Sequence, residues 1–87
     1  MLFRLLFTSI SAKQYKKLDG STKIRIKKKL ILLKESDKKR RHLHFGLPFY
    51  VEEVGQFRIV YKFDKLEKKI VILFIGKHKD YERFLEI

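Results

Sequence analysis

Two cations share one side of a predicted strand at residues 57–63. The odd positions of this segment are all aromatic or aliphatic, whereas Arg58 and Lys62 alternate with Val60 at the even positions. Because successive side chains of a strand point to opposite faces, we expect the odd positions to face the core and the even ones to face away. An open sheet face that carries Arg and Lys is suited to contact phosphate groups. The segment therefore predicts a phosphate-contacting surface.

A second group of polar residues follows the most apolar part of the chain. Residues 70–75 are apolar without a break, which indicates a central strand buried on both faces, and Gly76 is predicted to end it. The residues that follow are Lys77, His78, Lys79, Asp80 and Tyr81. Residues just past the end of a strand lie on the rim of a sheet, where functional side chains often collect. We expect this rim to lie next to the strand that carries Arg58.

The elements that must position these residues follow from periodicity and turn signals. The prediction is a buried strand at 2–7, helices at about 9–18 and 21–35, and strands at 49–54, 57–63 and 69–75, with a charged tail at 77–87 that suits a short helix. Ser9 or Ser11 can cap the first helix, and Ser21 the second. Residues 23–27 alternate as a strand would, but the long run without Gly or Pro favours a helix.

The resulting order, β-α-α-β-β-β, predicts a single α+β domain over residues 1–87. Sequential strands joined by short turns, such as Gly55-Gln56, form an antiparallel meander. The N-terminal strand must join the same sheet, and the two helices cover one face. The fold class is therefore a two-layer α+β structure with a mostly antiparallel sheet.

The charge distribution points to a polyanionic partner. The chain carries 22 Lys and Arg against 10 acidic residues, a net charge of +12, and residues 21–41 alone hold ten Lys and Arg with two acids, a net of +8. Such a basic segment attracts polyanions by releasing their counterions. A solvated lysine-rich surface of a thermophilic protein is the alternative, but Lys rises here without a matching rise in Glu. We predict that the run Lys38, Lys39, Arg40, Arg41 contacts phosphates.

Several classes of protein are disfavoured by composition. The chain has no cysteine, so a disulfide framework and a thiolate metal site are excluded, and a reducing cytoplasm is the expected compartment. Residues 2–7 are too short to span a bilayer and lack the cleavage site of a signal peptide. His42 and His44 have no third ligand at a suitable spacing, so we predict no metal site and no cofactor.

Two segments together resemble a known family. The strand Val54-Gly55-Gln56-Phe57-Arg58-Ile59-Val60-Tyr61 and the ending Phe74-Ile75-Gly76-Lys77-His78-Lys79-Asp80-Tyr81-Glu82 resemble the RelE/ParE toxin superfamily, in particular its archaeal RelE-like branch. The resemblance covers roughly the whole chain. It implies a metal-independent endoribonuclease that often acts on mRNA in the ribosomal A site, and a partner antitoxin, small and acidic, that wraps the toxin.

The resemblance assigns roles residue by residue. Arg58 matches the strand arginine that contacts the scissile phosphate, His78 stands where members carry an arginine or a histidine, and Tyr81 is close to a C-terminal tyrosine that many members use. RelE itself carries two lysines on the strand before the turn. Here that strand has Glu52 and Glu53 instead, which brings the site nearer to relatives that use Glu, His and Arg.

These residue types suit RNA cleavage without a metal. The reaction needs a base for the 2′-hydroxyl proton, a cation for the phosphorane, and an acid for the leaving 5′-oxygen. Arg58 is the predicted phosphate stabiliser and His78 the predicted proton-transfer group. Either Glu52 or Glu53 can be the base, and we take Glu53 as the candidate. The predicted RNA contacts are Lys38, Lys39, Arg40, Arg41, Lys62, Lys77 and Lys79.

Other interpretations remain open at this point. A ParE-like toxin that binds DNA gyrase, a catalytically inactive relative, and a non-catalytic RNA- or ribosome-binding module would all share the charge. Tyr81 can simply pack its ring against the sheet, and the two glutamates can serve to discourage strand-to-strand aggregation.

Overall fold

The computed structural model describes residues 3–35, 49–64 and 66–85. Within these ranges the chain forms four strands and three helices. In chain order they are β1 (Arg4–Phe7), α1 (Ser9–Lys16), α2 (Gly20–Glu35), β2 (Tyr50–Val54), β3 (Phe57–Asp64), β4 (Lys69–Lys77) and α3 (His78–Leu85). The predicted α+β order is confirmed, with α3 following the last strand. No helix within these ranges is long and apolar enough to cross a membrane.

The strands form one mixed sheet in the order β1-β4-β3-β2. Strands β2, β3 and β4 pair antiparallel, whereas β1 pairs parallel with β4, with Leu5 opposite Ile70. Strand β4 is therefore central, as its unbroken apolar run predicts. The strand continues one residue past Gly76, to Lys77.

The main core lies between the sheet and α2. Three apolar residues of α2 at helical spacing are buried, namely Ile26, Leu30 and Leu33. They pack against strand residues that are also buried: Ile59, Tyr61, Ile70, Ile72 and Ile75. Each fully buried aliphatic side chain contributes roughly 1.5–3 kcal/mol to the free energy of folding. A shift of one residue in strand pairing would move these side chains out of the core, so the layer fixes the register of the sheet. The predicted facing of β3, with its odd positions toward the helices, is confirmed.

The opposite face of the sheet is less open than the sequence predicts. Val60 is completely buried there, and it packs with Phe74 and with Tyr81 of α3. Phe84 adds a ring contact, with its centroid 5.1 Å from that of Phe74. The expectation of an open face is therefore wrong for the middle of β3, because Tyr81 and Phe84 are three residues apart and turn one side of α3 onto the sheet.

The helix caps differ from those the sequence suggests. Thr8, rather than Ser9 or Ser11, caps α1, and its side chain accepts a hydrogen bond from the Ser11 backbone amide. Ser11 is buried instead, and its hydroxyl donates to the carbonyl oxygen of Ile72 at 2.7 Å. The serine hydroxyl thus ties α1 to the central strand.

Asp19, rather than Ser21, caps α2. Its carboxylate accepts from the backbone amide of Thr22 at 2.7 Å and from the Ser21 hydroxyl at 3.2 Å. Hydrogen bonding from the Thr22 side chain, and then from the Thr22 backbone amide and the Ser21 hydroxyl, lowers the pKa of Asp19 below its ordinary value. The strand alternative for residues 23–27 is wrong, because burial of Ile26 at helical spacing from Leu30 stabilises the helix.

Candidate catalytic cleft

The turn between β2 and β3 forms one wall of the candidate site. Val54 and Phe57 pair across it, which leaves Gly55 and Gln56 as a two-residue turn. Gly55 has a positive φ of 59°, a conformation that favours glycine, and the end of the flexible Arg25 side chain lies close to where a Cβ would stand. The carbonyl of Gln56 accepts from the backbone amide of His78 at 3.2 Å, which joins the turn to the start of α3.

A cleft of about 620 Å³ opens where this turn meets the end of β4. Its lining residues are Gly55, Gln56, Arg58, Lys77, His78, Lys79 and Asp80, and we call it the Arg58 cleft. Antiparallel pairing places Arg58 opposite Gly76, directly before the rim residues. The structure therefore brings together four of the predicted site residues, Arg58, Lys77, His78 and Lys79, in agreement with the expectation that the rim lies beside the Arg58 strand.

The Arg58 side chain is held against the turn. It is 18% exposed, and its Nη1 donates to the carbonyls of Gly55 at 3.3 Å and Phe57 at 3.1 Å. Its Nε lies 3.9 Å from Oε1 of Glu53 on the neighbouring strand. A cation with a restricted side chain and one accessible side is suited to stabilise charge that develops on a bound phosphate, because little reorganisation is needed.

The two glutamates of β2 face opposite ways. Glu53 is the cross-strand partner of Arg58 and lies on the same face. Glu52 is opposite Ile59, and its carboxylate lies 3.7 Å from Nζ of Lys29 on α2. Of the two candidates for the base, Glu53 is thus the one placed beside Arg58, and its catalytic role stays a prediction.

His78 has a carboxylate neighbour that the sequence analysis did not single out. Its Nε2 lies 2.8 Å from Oε1 of Glu82, one helical turn further along α3. The i,i+4 spacing of the two residues was the available signal. A carboxylate bound at one ring nitrogen fixes the orientation of an imidazole and directs the other nitrogen elsewhere.

Tyr81 lies beneath the cleft rather than in its lining. It is 9% exposed and packs with Val60 and Phe74, with its ring centroid 6.1 Å from that of His78. Burial raises the pKa of Tyr81, while the nearby Arg58 guanidinium partly opposes this rise and Glu53 adds to it. The phenol therefore stays protonated at neutral pH. The surroundings of Tyr81 agree with the alternative that its ring packs against the sheet, and a catalytic role stays a prediction.

Among the remaining predicted contacts, Lys62 is described by the structure and does not line the Arg58 cleft. Lys62 is opposite Val71 on β4, and its Nζ lies 5.5 Å from the centroid of the Phe49 ring. It lines a separate groove with Leu66 and Lys69 at the other end of β3. Lys38, Lys39, Arg40 and Arg41, together with His42 and His44, lie outside the described residues.

Comparison with known proteins identifies the fold. No protein-family model and no curated protein matches the sequence. The structure matches a free E. coli RelE variant with two arginine-to-alanine changes at a TM-score of 0.80, with 23% identity, over 99% of this chain and 94% of that one. It matches the intact E. coli RelBE toxin–antitoxin complex at 0.76 (24% identity; 86% and 95%) and the Pyrococcus horikoshii RelE–RelB complex at 0.71 (19%; 88% and 96%). The chain thus has the RelE fold, which confirms the fold that the resemblance implied.

Proposed function

We propose that this protein is the toxin of a type II toxin–antitoxin pair, an endoribonuclease that cleaves mRNA on the ribosome in the cytoplasm. The observation that carries the proposal is that Arg58 from β3 and His78 from α3 line one cleft within a RelE fold. Lys77 and Lys79 add positive charge to the same cleft. A cleft of this charge attracts a phosphate backbone.

The proposed chemistry is transfer of the phosphoryl group to the neighbouring 2′-hydroxyl. Glu53 takes the proton of that hydroxyl as its oxygen attacks phosphorus, while Arg58 stabilises the phosphorane that forms. His78 gives a proton to the 5′-oxygen as the P–O bond breaks. The products are a 2′,3′-cyclic phosphate, later hydrolysed to a 3′-phosphate, and a free 5′-hydroxyl. Tyr81, which lies beneath the cleft, is proposed to orient the RNA or to assist the proton transfer.

A small acidic antitoxin is the proposed partner. The structural neighbours include RelE in complex with RelB, and this chain has a net charge of +12. Its helices also expose large apolar side chains, of which Ile10, Ile24 and Leu32 are each more than half exposed. A segment with acidic and apolar residues that folds on binding would cover such a surface. Purification from the native host should recover the two proteins together.

The decisive experiment is cleavage of mRNA on purified ribosomes, with cut sites mapped by primer extension. We expect His78→Ala to lower the cleavage rate by about 10²–10⁴-fold, the range of one acid–base group, with ribosome binding nearly unchanged. Lys13→Ala, which removes an exposed cation of α1, is the matched control and should retain activity. The metal requirement is tested on the same ribosomes, and cleavage that needs magnesium beyond the amount that keeps ribosomes intact would contradict a metal-independent reaction. An inert wild type that still binds ribosomes would contradict a nuclease.

A further inference from the structure

A second cavity adjoins the Arg58 cleft, on the face of the sheet that α1 and α2 cover. It has a volume of about 570 Å³ and lies between the α1–α2 junction and the ends of β3 and β4. Its lining residues are Gln14, Lys17, Leu18, Asp19, Thr22, Phe57, Ile75, Gly76, Lys77 and Asp80, and we call it the Leu18 cavity. No step of the proposed chemistry uses it.

The Leu18 cavity and the Arg58 cleft share a wall. Lys77 and Asp80 line both of them. Phe57, which lines the cavity, is the strand neighbour of Arg58, which lines the cleft. When the phosphate of a ligand lies against Arg58, the group next to that phosphate can therefore reach the Leu18 cavity. In RNA this group is a sugar with its base.

The cavity combines an apolar wall with polar groups at its edge, the pattern of a small-ligand site. Leu18 and Phe57, which are partly buried, supply apolar surface that can stack against a flat ring. Gln14 uses its Oε1 to accept from the backbone amide of Ile75 at 2.8 Å, which leaves its amide NH₂ group as a donor. Lys17 adds a further donor.

Asp80 is the unusual member of this surface. It is an exposed carboxylate that closely follows Lys77 and Lys79 in the sequence and lines both the Arg58 cleft and the Leu18 cavity. A carboxylate beside a phosphate site repels RNA unless it accepts hydrogen bonds from donors on the base. Its position in the first turn of α3 also gives it a favourable interaction with the helix dipole, and this structural role must be distinguished from recognition.

We propose that the Leu18 cavity binds the base of the nucleotide whose 3′-phosphate lies in the Arg58 cleft, and that Asp80 makes guanine the preferred base. The proposal rests on the proposed function for the position of the RNA. Guanine offers two adjacent donors, N1–H and the N2 amino group, which match the two oxygens of a carboxylate. Adenine and cytosine offer one donor beside an acceptor, and uracil offers one donor between two carbonyls, so each leaves a carboxylate oxygen facing an acceptor or unpaired.

The test is an NMR titration of the protein with each of the four nucleoside 3′-monophosphates, which requires no nuclease activity. We expect guanosine 3′-monophosphate to bind about five- to tenfold more tightly than the others, the lower end of the range for a bidentate pair. The largest shifts should occur at the amides of Leu18, Gly76 and Lys77. Asp80→Asn should abolish the guanine preference and favour adenine and cytosine, because an amide offers one donor and one acceptor and each of these bases offers the complementary pair.

Glu35→Gln is the matched control, since it also removes one carboxylate charge. Glu35 is the last residue of α2, whereas the Leu18 cavity is lined by Thr22 near the start of that helix, so the base preference should be unchanged. Equal affinity for all four nucleotides, or a guanine preference that survives Asp80→Asn, would overturn the proposal. So would an Asp80→Asn variant that only loses stability, since that is the result of a helix-dipole role alone. Ribosomal mRNA cleavage without base preference contradicts this inference but not the nuclease, whereas guanine-selective binding by a protein that cuts nothing contradicts only the nuclease.

Discussion

The two faces of the sheet are packed in different ways. On one face α2 buries Ile59 and Tyr61 completely, together with the central strand. On the other face α3 covers only the region around Val60, and cations emerge at both ends of the covered part. The candidate site lies at one of these ends. A catalytic cation needs access to its substrate and rigid neighbours that hold it, and only the border of the second face offers both.

The two ends of that second face also differ from each other. Arg58 of β3 lies where the β2–β3 turn, the end of β4 and the start of α3 meet, so residues from these three segments line its cleft together with Arg58 itself. Lys62 lies four residues along the same strand, near the β3–β4 turn and over the ring of Phe49. The two cations share a face and a strand, so their different surroundings come from topology and not from alternation.

Substitution of the two adjacent glutamates gives the sharpest test of whether the two faces of the sheet differ in catalysis. Glu53→Gln should lower single-turnover cleavage by about 10²–10⁴-fold, because it removes the proposed base on the Arg58 face. Glu52→Gln should leave the rate within about threefold of wild type. It removes only a partly exposed pair with Lys29, and such pairs contribute about 0–1 kcal/mol. Equal effects of the two changes would show that the difference between the faces has no catalytic meaning.

The two ends of the second face are separated by Arg58→Ala and Lys62→Ala. Arg58→Ala should lower turnover by about 10²–10³-fold, the typical cost of removing one electrostatic stabiliser. Lys62→Ala should leave turnover nearly unchanged. It should reduce the slope of the logarithm of the RNA or ribosome binding constant against the logarithm of salt concentration by about one, as the loss of one phosphate contact does. Both rates are measured at saturating ribosome concentration. A loss of turnover in Lys62→Ala comparable to that in Arg58→Ala would place the chemistry elsewhere.

Much of this arrangement was predictable from the sequence, because it follows from strand alternation. Odd positions of β3 contain only aromatic and aliphatic residues, which fixed the facing of Arg58, and the unbroken apolar run of β4 marked the central strand. The position of Lys77, His78 and Lys79 at the edge of the sheet was also predictable, since residues after a buried strand lie there.

The rest depended on contacts between distant elements. The sequence could not show which glutamate faces Arg58, because that depends on the register between β2 and β3. It also did not show that α3 folds back over Val60, since the pattern of Tyr81 and Phe84 is too short to indicate the surface on which it packs. The cap at Thr8 was missed because Ser11, the expected alternative, is used for a bond to β4.

The cover of the second face can be tested at Tyr81. Tyr81→Ala should lower the free energy of unfolding by about 3 kcal/mol, the cost of removing a buried aromatic ring. Tyr81→Phe keeps the ring and removes only the hydroxyl. If Tyr81 acts by packing, Tyr81→Phe should cleave within about threefold of wild type, whereas a role in proton transfer predicts a much larger loss. Denaturant unfolding and cleavage are measured on the same samples, so that instability is not mistaken for lost chemistry.

The smallest expected change in stability comes from the face covered by α1 and α2, at the N-terminal cap of α1. Thr8→Ala removes the side chain that accepts from the Ser11 amide and should lower the free energy of unfolding by about 1 kcal/mol. Thr8→Ser retains a hydroxyl at the same position and should recover most of that loss. Neither change should alter turnover on ribosomes, because α1 supports the buried face and contributes no residue to the Arg58 cleft. A fall in turnover with Thr8→Ala, at a temperature where the variant is fully folded, would mean that the two faces are coupled through β4, on which Ile72 holds the Ser11 hydroxyl.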